Sequence, residues 1–317
     1  MTSLVLLCLT IVSAEGAAVW IDTDPSVQRG GHEVDDGFAL IQAFHSPELQ
    51  IRGISVVFGN APLATAFPIA KEIVRRFGPE NMPAYAGAAS AQELGLETDA
   101  SLALAAALRT ERLTILVLGP ATNIATVLRN HPELARKIDR IIAVAGRRPG
   151  QRFLTGRSTQ PFRDLNFELD PQAFQVILDS RVPVVLAPWE VSSKVWITQA
   201  DLEHLLASSP ALDWLLKPAS DWLAFWKQAF GVDGFNPFDT LAVGYATTPD
   251  LLGCELLRAK IKILPNDITT SDSPVRKPFL LAGKEIRGGA VVRYCSDVQQ
   301  KFKTDLLARL ALGPNRK

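Results

Sequence analysis

Two acidic clusters near the start of the chain have the side chains and the spacing to bind a cation. Asp22 and Asp24 are followed, after a loop, by the neighbouring pair Asp35 and Asp36. On an extended strand the first two would share a face, and the second two would lie in a first helical turn, where negative charge is favoured. Carboxylates this close repel one another unless they share a cation. A turn or a helix start explains either cluster alone, but the two together favour a cation site.

The elements that would position these side chains follow from the apolar pattern. Runs rich in valine and isoleucine alternate with segments of helical period, which is typical of a mostly parallel sheet joined by crossover helices. We predict strands at 18–24, 51–58, 113–118, 138–145 and 182–187, and helices at 35–44, 63–77, 101–108, 123–134 and 171–178. The predicted fold class is therefore α/β, an open Rossmann-like sheet with helices on both faces. Both acidic clusters fall where the first strand ends, at the edge where such sheets bind ligands.

The last third of the chain has a different pattern. A long helical region at 199–230 carries an aromatic stripe, which we interpret mainly as core packing. It is followed by a helix at 239–245, an antiparallel pair of strands at 254–263 and 289–294, and a terminal helix at 297–312. The sequence shows no linker, repeat or low-complexity tract, and we predict one domain spanning 18–317.

Composition narrows the classes of function. The 317 residues include 33 lysines and arginines and 33 aspartates and glutamates, so there is no basic excess for binding nucleic acid. Hydrophobic residues make up 47%, which suits a large core and excludes a disordered chain. The three cysteines lack the paired spacing of a zinc site. We expect a globular protein that does not bind nucleic acid.

The first residues resemble a secretory leader. An apolar run at 4–12 is followed by small residues through position 17, although no lysine or arginine precedes it. The run is too short to span a membrane. We predict a signal peptide at 1–17 and a secreted or periplasmic protein; the alternative is an ordinary first strand and a cytoplasmic location. Export would suit pairing of Cys254 with Cys295, which the sequence alone does not establish.

Four further motifs follow the predicted strands in order. They are Gly59-Asn60 after the second strand, Leu-Gly-Pro-Ala-Thr-Asn at 118–123 after the third, Asn166 with Asp170-Pro171 after the fourth, and Asp239 at the start of a late helix. With the Asp-x-Asp-Pro and Asp-Asp segments, this set resembles the inosine-uridine preferring nucleoside hydrolase family, which are calcium-dependent N-ribohydrolases. Each motif is weak alone, but the ordered set covers most of the chain and is specific. The resemblance implies the nucleoside hydrolase fold.

The resemblance also implies a role for each motif. Calcium prefers oxygen ligands and would be bound by Asp24, Asp36, Asp239 and the backbone carbonyl of Thr122. A calcium-bound water, deprotonated by Asp24, would attack the anomeric carbon as the bond to the base breaks. The residues at the family's ribose-binding positions are Asp35, Asn60, Asp164 and Asn166. The implied activity is hydrolysis of ribonucleosides in purine or pyrimidine salvage, and relatives often form dimers or tetramers.

Two departures from the family concern the leaving base. Many members have a histidine directly before the late metal-binding aspartate, and Phe238 occupies that position here. The loop between the acidic clusters is longer and carries His32 and Glu33. Three consequences stay open: His32 or Glu33 supplies a proton to the base, an aromatic ring stacks on the base, or efficient hydrolysis is lost. Stacking is favoured slightly, with Trp189, Phe230, Phe235 and Phe238 as candidates.

The sugar-binding segment departs as well. Asp164 replaces the family's glutamate and is one methylene shorter. The stretch before it contains five arginines, at positions 147, 148, 152, 157 and 163. We interpret these arginines either as a solvated loop or as a contact for an anionic group on the substrate, such as a phosphate.

Two other functions compete with the calcium-dependent hydrolase. A non-catalytic ribose or nucleoside binder on the same fold would keep the metal and ribose residues without a working proton donor. A magnesium site for phosphate-ester hydrolysis would leave the Thr122 motif without a role. The hydrolase accounts for more of the motifs and is our prediction.

Overall fold

The computed structural model describes residues 16–268 and 275–313, so residues 1–15 of the predicted leader lie outside it. The strands, in chain order, are β1 (Ala17–Thr23), β2 (Leu49–Val56), β3 (Ala84–Ala86), β4 (Leu113–Val117), β5 (Ile138–Ala143), β6 (Val184–Leu186), β7 (Leu252–Pro265), β8 (Arg276–Gly283) and β9 (Ala290–Val298). The helices are α1 (Asp35–Phe44), α2 (Leu63–Phe77), α3 (Asp99–Thr110), α4 (Thr122–Asn130), α5 (Leu165–Leu169), α6 (Pro171–Asp179), α7 (Trp189–Ser192), α8 (Gln199–Ser208), α9 (Asp213–Phe230), α10 (Thr240–Thr247) and α11 (Lys301–Leu310).

These strands form one sheet in the order β3-β2-β1-β4-β5-β6-β9-β7-β8. Neighbouring strands from β3 to β9 are parallel, whereas β7 is antiparallel to both β9 and β8. The predicted α/β class with an open, mostly parallel sheet is confirmed. Because β1 lies between β2 and β4, the polar residues that follow these three strands meet at one edge of the sheet.

Helices cover both faces of the sheet because successive side chains of a strand point to opposite faces. Val19 and Ile21 of β1 belong to a core cluster that includes residues of α1, α2, α10 and α11. Trp20 belongs to a second cluster, which includes residues of α3, α4 and α6. None of the described helices is long and apolar enough to cross a membrane.

The last third differs from the prediction in several boundaries. The predicted helix at 199–230 is two helices, α8 and α9, because the chain is extended at Ser209 and Pro210 starts a short 3₁₀ turn. The predicted antiparallel pair is confirmed as β7 and β9, but β9 also joins the parallel sheet beside β6. Because β9 continues to Val298, the terminal helix begins at Lys301. The short elements β3, α5 and α7 and the outer strand β8 were not predicted.

One covalent link joins the antiparallel strands. Cys254 of β7 lies opposite Cys295 of β9, and the two form a disulfide. The cross-link closes a loop with a sequence separation of 41. The tertiary structure therefore makes the pairing that cysteine spacing left open.

Candidate active site

Strand β1 brings two fully buried carboxylates to the edge of the sheet, Asp22 and Asp24. Asp22 pairs in register with Ser55, whose hydroxyl donates to the Asp22 carboxylate, and Asn123 Nδ2 donates to the same carboxylate at 2.8 Å. Burial raises the pKa of Asp22 to about 7, although these two hydrogen bonds act to lower it. Asp22 is thereby tied to two neighbouring elements. Asn123 binds Asp22 and the backbone N–H of Ala88 through its side chain, so it joins three segments beneath the site.

Backbone holds Asp24 at one oxygen of its carboxylate. Its Oδ2 accepts the Asn60 backbone N–H at 2.7 Å, whereas Oδ1 has no hydrogen-bond partner among the described residues. Two glycines make room for this carboxylate. A Cβ at Gly59 would overlap Asp24 Oδ2, and a Cβ at Gly119 would lie 2.7 Å from Oδ1. Both motif glycines are therefore required by the close approach of Asp24.

Asp36 and Asp239 join Asp24 from the starts of two helices. Asp36 lies in the first turn of α1 and accepts hydrogen bonds from the Thr23 hydroxyl and from the Asp24 backbone N–H, the latter at 3.1 Å. Asp239 precedes α10, and its side chain lies within hydrogen-bonding reach of Asp36. Burial, followed by repulsion among the carboxylates, raises the pKa of Asp24 and Asp239 well above the usual range. We call Asp24, Asp36 and Asp239 the carboxylate cluster.

The carboxylate cluster suits a hard cation by its chemistry. Within residues 16–268 and 275–313, no set of three or more histidine, cysteine, aspartate or glutamate side chains is arranged as a metal-binding group. The cluster nevertheless consists of buried oxygen donors, one of them unpartnered in that part of the chain, and a shared cation would relieve their repulsion. Thr122, the other predicted ligand, is buried at the start of α4, and its hydroxyl donates to Asp170 at 2.6 Å.

The four predicted ribose-binding residues line one cavity of about 440 Å³, together with Asp239. They are Asp35, Asn60, Asp164 and Asn166. Asn166 Nδ2 donates to the carbonyls of Leu118 and Val144, which follow β4 and β5. Asp164 Oδ2 accepts the Gly146 backbone N–H at 2.9 Å. The fold thus brings residues from four separate segments to one cavity beside the carboxylate cluster.

Aromatic residues line the same cavity. Three of the predicted stacking candidates are present, namely Trp189, Phe230 and Phe238, and three residues of α9 join them, namely Trp222, Phe225 and Trp226. Core packing is confirmed for Trp214, which packs against Phe77, but the other four aromatic residues of α9, including Phe230, line the cavity. Phe235 is not among the residues that line the cavity; it is buried against Phe38. The indole N–H groups of Trp189, Trp222 and Trp226 are buried without a hydrogen-bond partner among the residues that the structure describes.

The longer loop between the acidic clusters places its two candidate proton donors in different environments. His32 is exposed and does not line the cavity, whereas Glu33 is buried and does. Glu33 Oε1 accepts the Ser26 backbone N–H at 2.6 Å, and the Glu33 side chain faces Asp35. Burial, followed by repulsion from Asp35, raises the pKa of Glu33 well above its usual range. An ion pair between Arg29 and Asp221 of α9, 2.6 Å long, ties the loop to the aromatic side of the cavity.

The arginines before Asp164 do not form one surface. Arg152 and Arg157 are exposed, Arg148 pairs with Glu190 and Glu255, and Arg163 lines the cavity but pairs with Glu168. Arg147 is buried. Among the described residues, the cavity is lined by four carboxylates, at positions 33, 35, 164 and 239, and by one arginine, at 163. This balance of charge disfavours an anionic substituent on the substrate.

The comparison with known proteins agrees with this geometry. The family model described as inosine-uridine preferring nucleoside hydrolase matches residues 19–301. The chain therefore belongs to that family, and it is an enzyme of the nucleoside hydrolase class.

Two individual relatives have less than a third of their aligned residues in common with this chain. The chain is 26% identical over 262 residues to the pyrimidine-specific ribonucleoside hydrolase RihA of Klebsiella pneumoniae and 29% identical over 262 residues to RihA of Citrobacter koseri, in each case over 74% of this chain and 80% of the relative. Among solved structures, a plant nucleoside hydrolase, the PpNRh1 enzyme, has a TM-score of 0.76 at 21% identity and covers 93% of this chain and 99% of its own. A purine-preferring ribonucleoside hydrolase from Gardnerella vaginalis has a TM-score of 0.72 at 18% identity, covering 93% and 98%. These structures share the fold.

Proposed function

We propose that this enzyme hydrolyses the N-glycosidic bond of ribonucleosides to free base and ribose, with calcium at the carboxylate cluster. One observation carries the proposal: the buried carboxylate cluster adjoins a cavity that has polar side chains suited to ribose and aromatic side chains suited to a base. Membership of the family supports the enzyme over the non-catalytic binder.

The ligands of calcium would be Asp24, Asp36, Asp239 and the Thr122 carbonyl. Bound calcium would supply a Lewis acid that lowers the pKa of water and neutralises the three carboxylates. Asp24 is the general base: its Oδ2 is fixed by the Asn60 N–H, which leaves Oδ1 to take a proton from the attacking water.

The polar side of the cavity would bind the sugar. Asp35 and Asp164 accept hydrogen bonds from ribose hydroxyls, and Asn60 and Asn166 fix its position through their amides. As the bond to the base breaks, positive charge develops on the ribose, and the carboxylates of the cavity stabilise that charge. Because the side chains of Asp164 and Asn166 are already held by the hydrogen bonds described above, these two groups need little reorganisation during the reaction.

The aromatic side of the cavity would bind the leaving base. Phe238 and the indole rings provide apolar faces for a planar base. Glu33 supplies the proton that the base acquires as it leaves, since it is the one of the two loop candidates that lines the cavity. The electron pair of the broken bond stays with the base, the proton of Glu33 neutralises it, and solvent reprotonates Glu33.

Export and a role in nucleoside salvage are part of the same proposal. The disulfide between Cys254 and Cys295 suits an oxidising compartment outside the cytosol. Such an enzyme would release ribose and base from nucleosides outside the cell or in the periplasm.

Release of ribose from purified enzyme tests the proposal. Uridine, cytidine, inosine and adenosine would be supplied with calcium and, separately, with a chelator. The RihA relatives are named as pyrimidine-specific, and one structural neighbour as purine-preferring, so both base classes are needed. Ribose release that chelation abolishes and calcium restores supports the proposal. No release from any nucleoside, with calcium still raising the melting temperature, would point to a binder instead.

A further inference from the structure

Arg147 is a buried cation close to the proposed ribose-binding residue Asp164. Its side chain is only 1% exposed, and its guanidinium carbon lies 4.0 Å from the ring centre of Phe153 and 5.1 Å from that of Phe279. Nη1 donates to Asp267 at 2.7 Å, whereas Nε and Nη2 have no hydrogen-bond partner in the part of the chain that the structure describes. Because arginine stays protonated in proteins, the fold buries a permanent positive charge at this position.

Three more charged side chains surround Arg147: Lys277 is buried, and the side chains of Glu168 and Asp267 are only 8% and 13% exposed. Lys277 Nζ lies 2.7 Å from Glu168 Oε1 and 2.8 Å from Asp267 Oδ1, and Arg147 Nη2 lies 3.7 Å from Glu168 Oε1. We call these four residues the Arg147 cluster. Buried ions cost free energy unless they are well paired. Two of the guanidinium nitrogens lack a hydrogen bond to any described residue, so pairing within the cluster is an incomplete reason for burying Arg147.

Two hydrogen bonds hold Asp164, one to a member of the Arg147 cluster and one from the residue that precedes Arg147. Glu168 Oε1 accepts the Asp164 backbone N–H at 3.2 Å. Gly146, directly before Arg147, donates its backbone N–H to the Asp164 carboxylate at 2.9 Å. The cluster member Glu168 therefore holds the backbone of Asp164, and the backbone next to Arg147 holds its side chain, where this residue lines the cavity.

The charges of the Arg147 cluster also influence the pKa of Asp164. Burial raises the pKa of Asp164 to about 6, while Arg147 and Lys277 act to lower it and Glu168 acts to raise it. Tyr294 also faces Asp164, but burial raises its pKa and keeps it neutral. Without the two cations, the Gly146 hydrogen bond would be the main interaction that opposes the effect of burial on the pKa of Asp164. A protonated Asp164 would lose part of its capacity to accept hydrogen bonds from a sugar.

We propose that Arg147, assisted by Lys277, is a positioning residue for catalysis that keeps Asp164 ionised and oriented toward the ribose. The inference rests on the proposed function, in which Asp164 binds ribose. It assigns Arg147 a role that is neither a solvated loop residue nor an anion-binding group for the substrate.

The test is the pH dependence of kcat/KM for nucleoside hydrolysis in Arg147→Met, with Arg148→Met as the matched control. Arg148 also pairs with two carboxylates but lies outside the Arg147 cluster. We expect Arg147→Met to move the acidic limb of the profile upward by about 1 pH unit or more. Its loss of kcat/KM would then be larger at pH 6 than at pH 8, whereas Arg148→Met would keep the wild-type profile. Arg147→Lys should largely restore the wild-type acidic limb because it keeps the charge.

A double-mutant cycle separates this role from a purely structural one. In an Asp164→Asn background, Arg147→Met should cause no further pH-dependent loss. The same pH-independent loss in both backgrounds, or a wild-type profile in folded Arg147→Met, would overturn the inference. Melting temperatures report folding, and Lys277→Met provides the same comparison if Arg147→Met does not fold. Failure of wild-type enzyme to release ribose from any nucleoside would overturn the proposed function itself and this inference with it.

Discussion

Replacing Glu33 with glutamine tests how the base leaves. Glutamine has the same shape, and its carbonyl oxygen can still accept the Ser26 N–H that Glu33 accepts at 2.6 Å. The change therefore removes the acidic proton while preserving the contacts that place the side chain at the cavity. General acid catalysis contributes a factor of about 10² to 10⁴, equivalent to about 3–5 kcal/mol of activation free energy. We expect kcat/KM for nucleosides to fall by about that factor.

A second substrate makes the assay specific for leaving-group protonation. In p-nitrophenyl β-D-ribofuranoside the leaving nitrophenolate is stable as an anion and needs no proton. Glu33→Gln should therefore hydrolyse this substrate almost as fast as wild type. His32→Gln is the matched control from the same loop: its side chain is exposed, and we expect wild-type rates on both substrates.

Two outcomes of the two-substrate comparison would contradict Glu33 as the proton donor to the leaving base. An equal loss on nucleoside and on nitrophenyl riboside would place Glu33 in sugar binding or in the structure of the loop. No loss on either substrate would leave aromatic stacking as the route by which the base is activated.

The remaining predictions concern the general base Asp24, the aromatic side chains that would stack on the nucleobase, and the bound cation. Asp24→Asn should lower kcat by a factor of at least about 10² with little change in melting temperature, because it removes the proposed base and keeps its shape; near-wild-type ribose release by the folded variant would exclude Asp24 from that role. Trp226→Ala should weaken hydrolysis of nucleosides more than that of nitrophenyl riboside, if its ring stacks on the base, and an equal effect on both substrates would contradict stacking. Burial raises the pKa of Asp36 to about 7, so its contribution to the free energy of unfolding falls as pH rises from its unfolded pKa toward 7. Calcium should therefore raise the melting temperature more at pH 8 than at pH 5, where protons compete with the cation, and equal shifts at both pH values would refute this.

The parallel part of the fold was predictable because its apolar runs are long and repeat regularly. The helices α1 and α2 have the predicted boundaries, and α6 begins at Pro171 with the Asp170 side chain as its cap. Elements of three to five residues, such as β3 and α5, are too short to show a period. The register of β9 beside β6 depends on contacts between distant segments, which a local pattern cannot specify.

Most of the candidate site was predictable for a related reason. Its polar residues follow successive strands, and parallel strands that are neighbours bring their carboxyl ends together. Asp22 was placed on the right strand, but its contacts with Ser55 and Asn123 depend on strand register. The aromatic lining from α9 was not predictable, because helical spacing shows which residues share a face and does not show what that face contacts.

The fold class, the family and the order of the motif residues follow from the amino-acid sequence alone, because strand and helix periods and short motifs are local properties of the chain. Three features required the folded structure: Glu33 and not His32 lines the cavity, Cys254 is bonded to Cys295, and Arg147 is buried near Asp164. Each of these is either a contact between segments that are distant in the chain or the burial of one particular side chain on a loop. Such contacts follow from how the packed elements exclude water and pair their charges, which no local pattern of residues specifies.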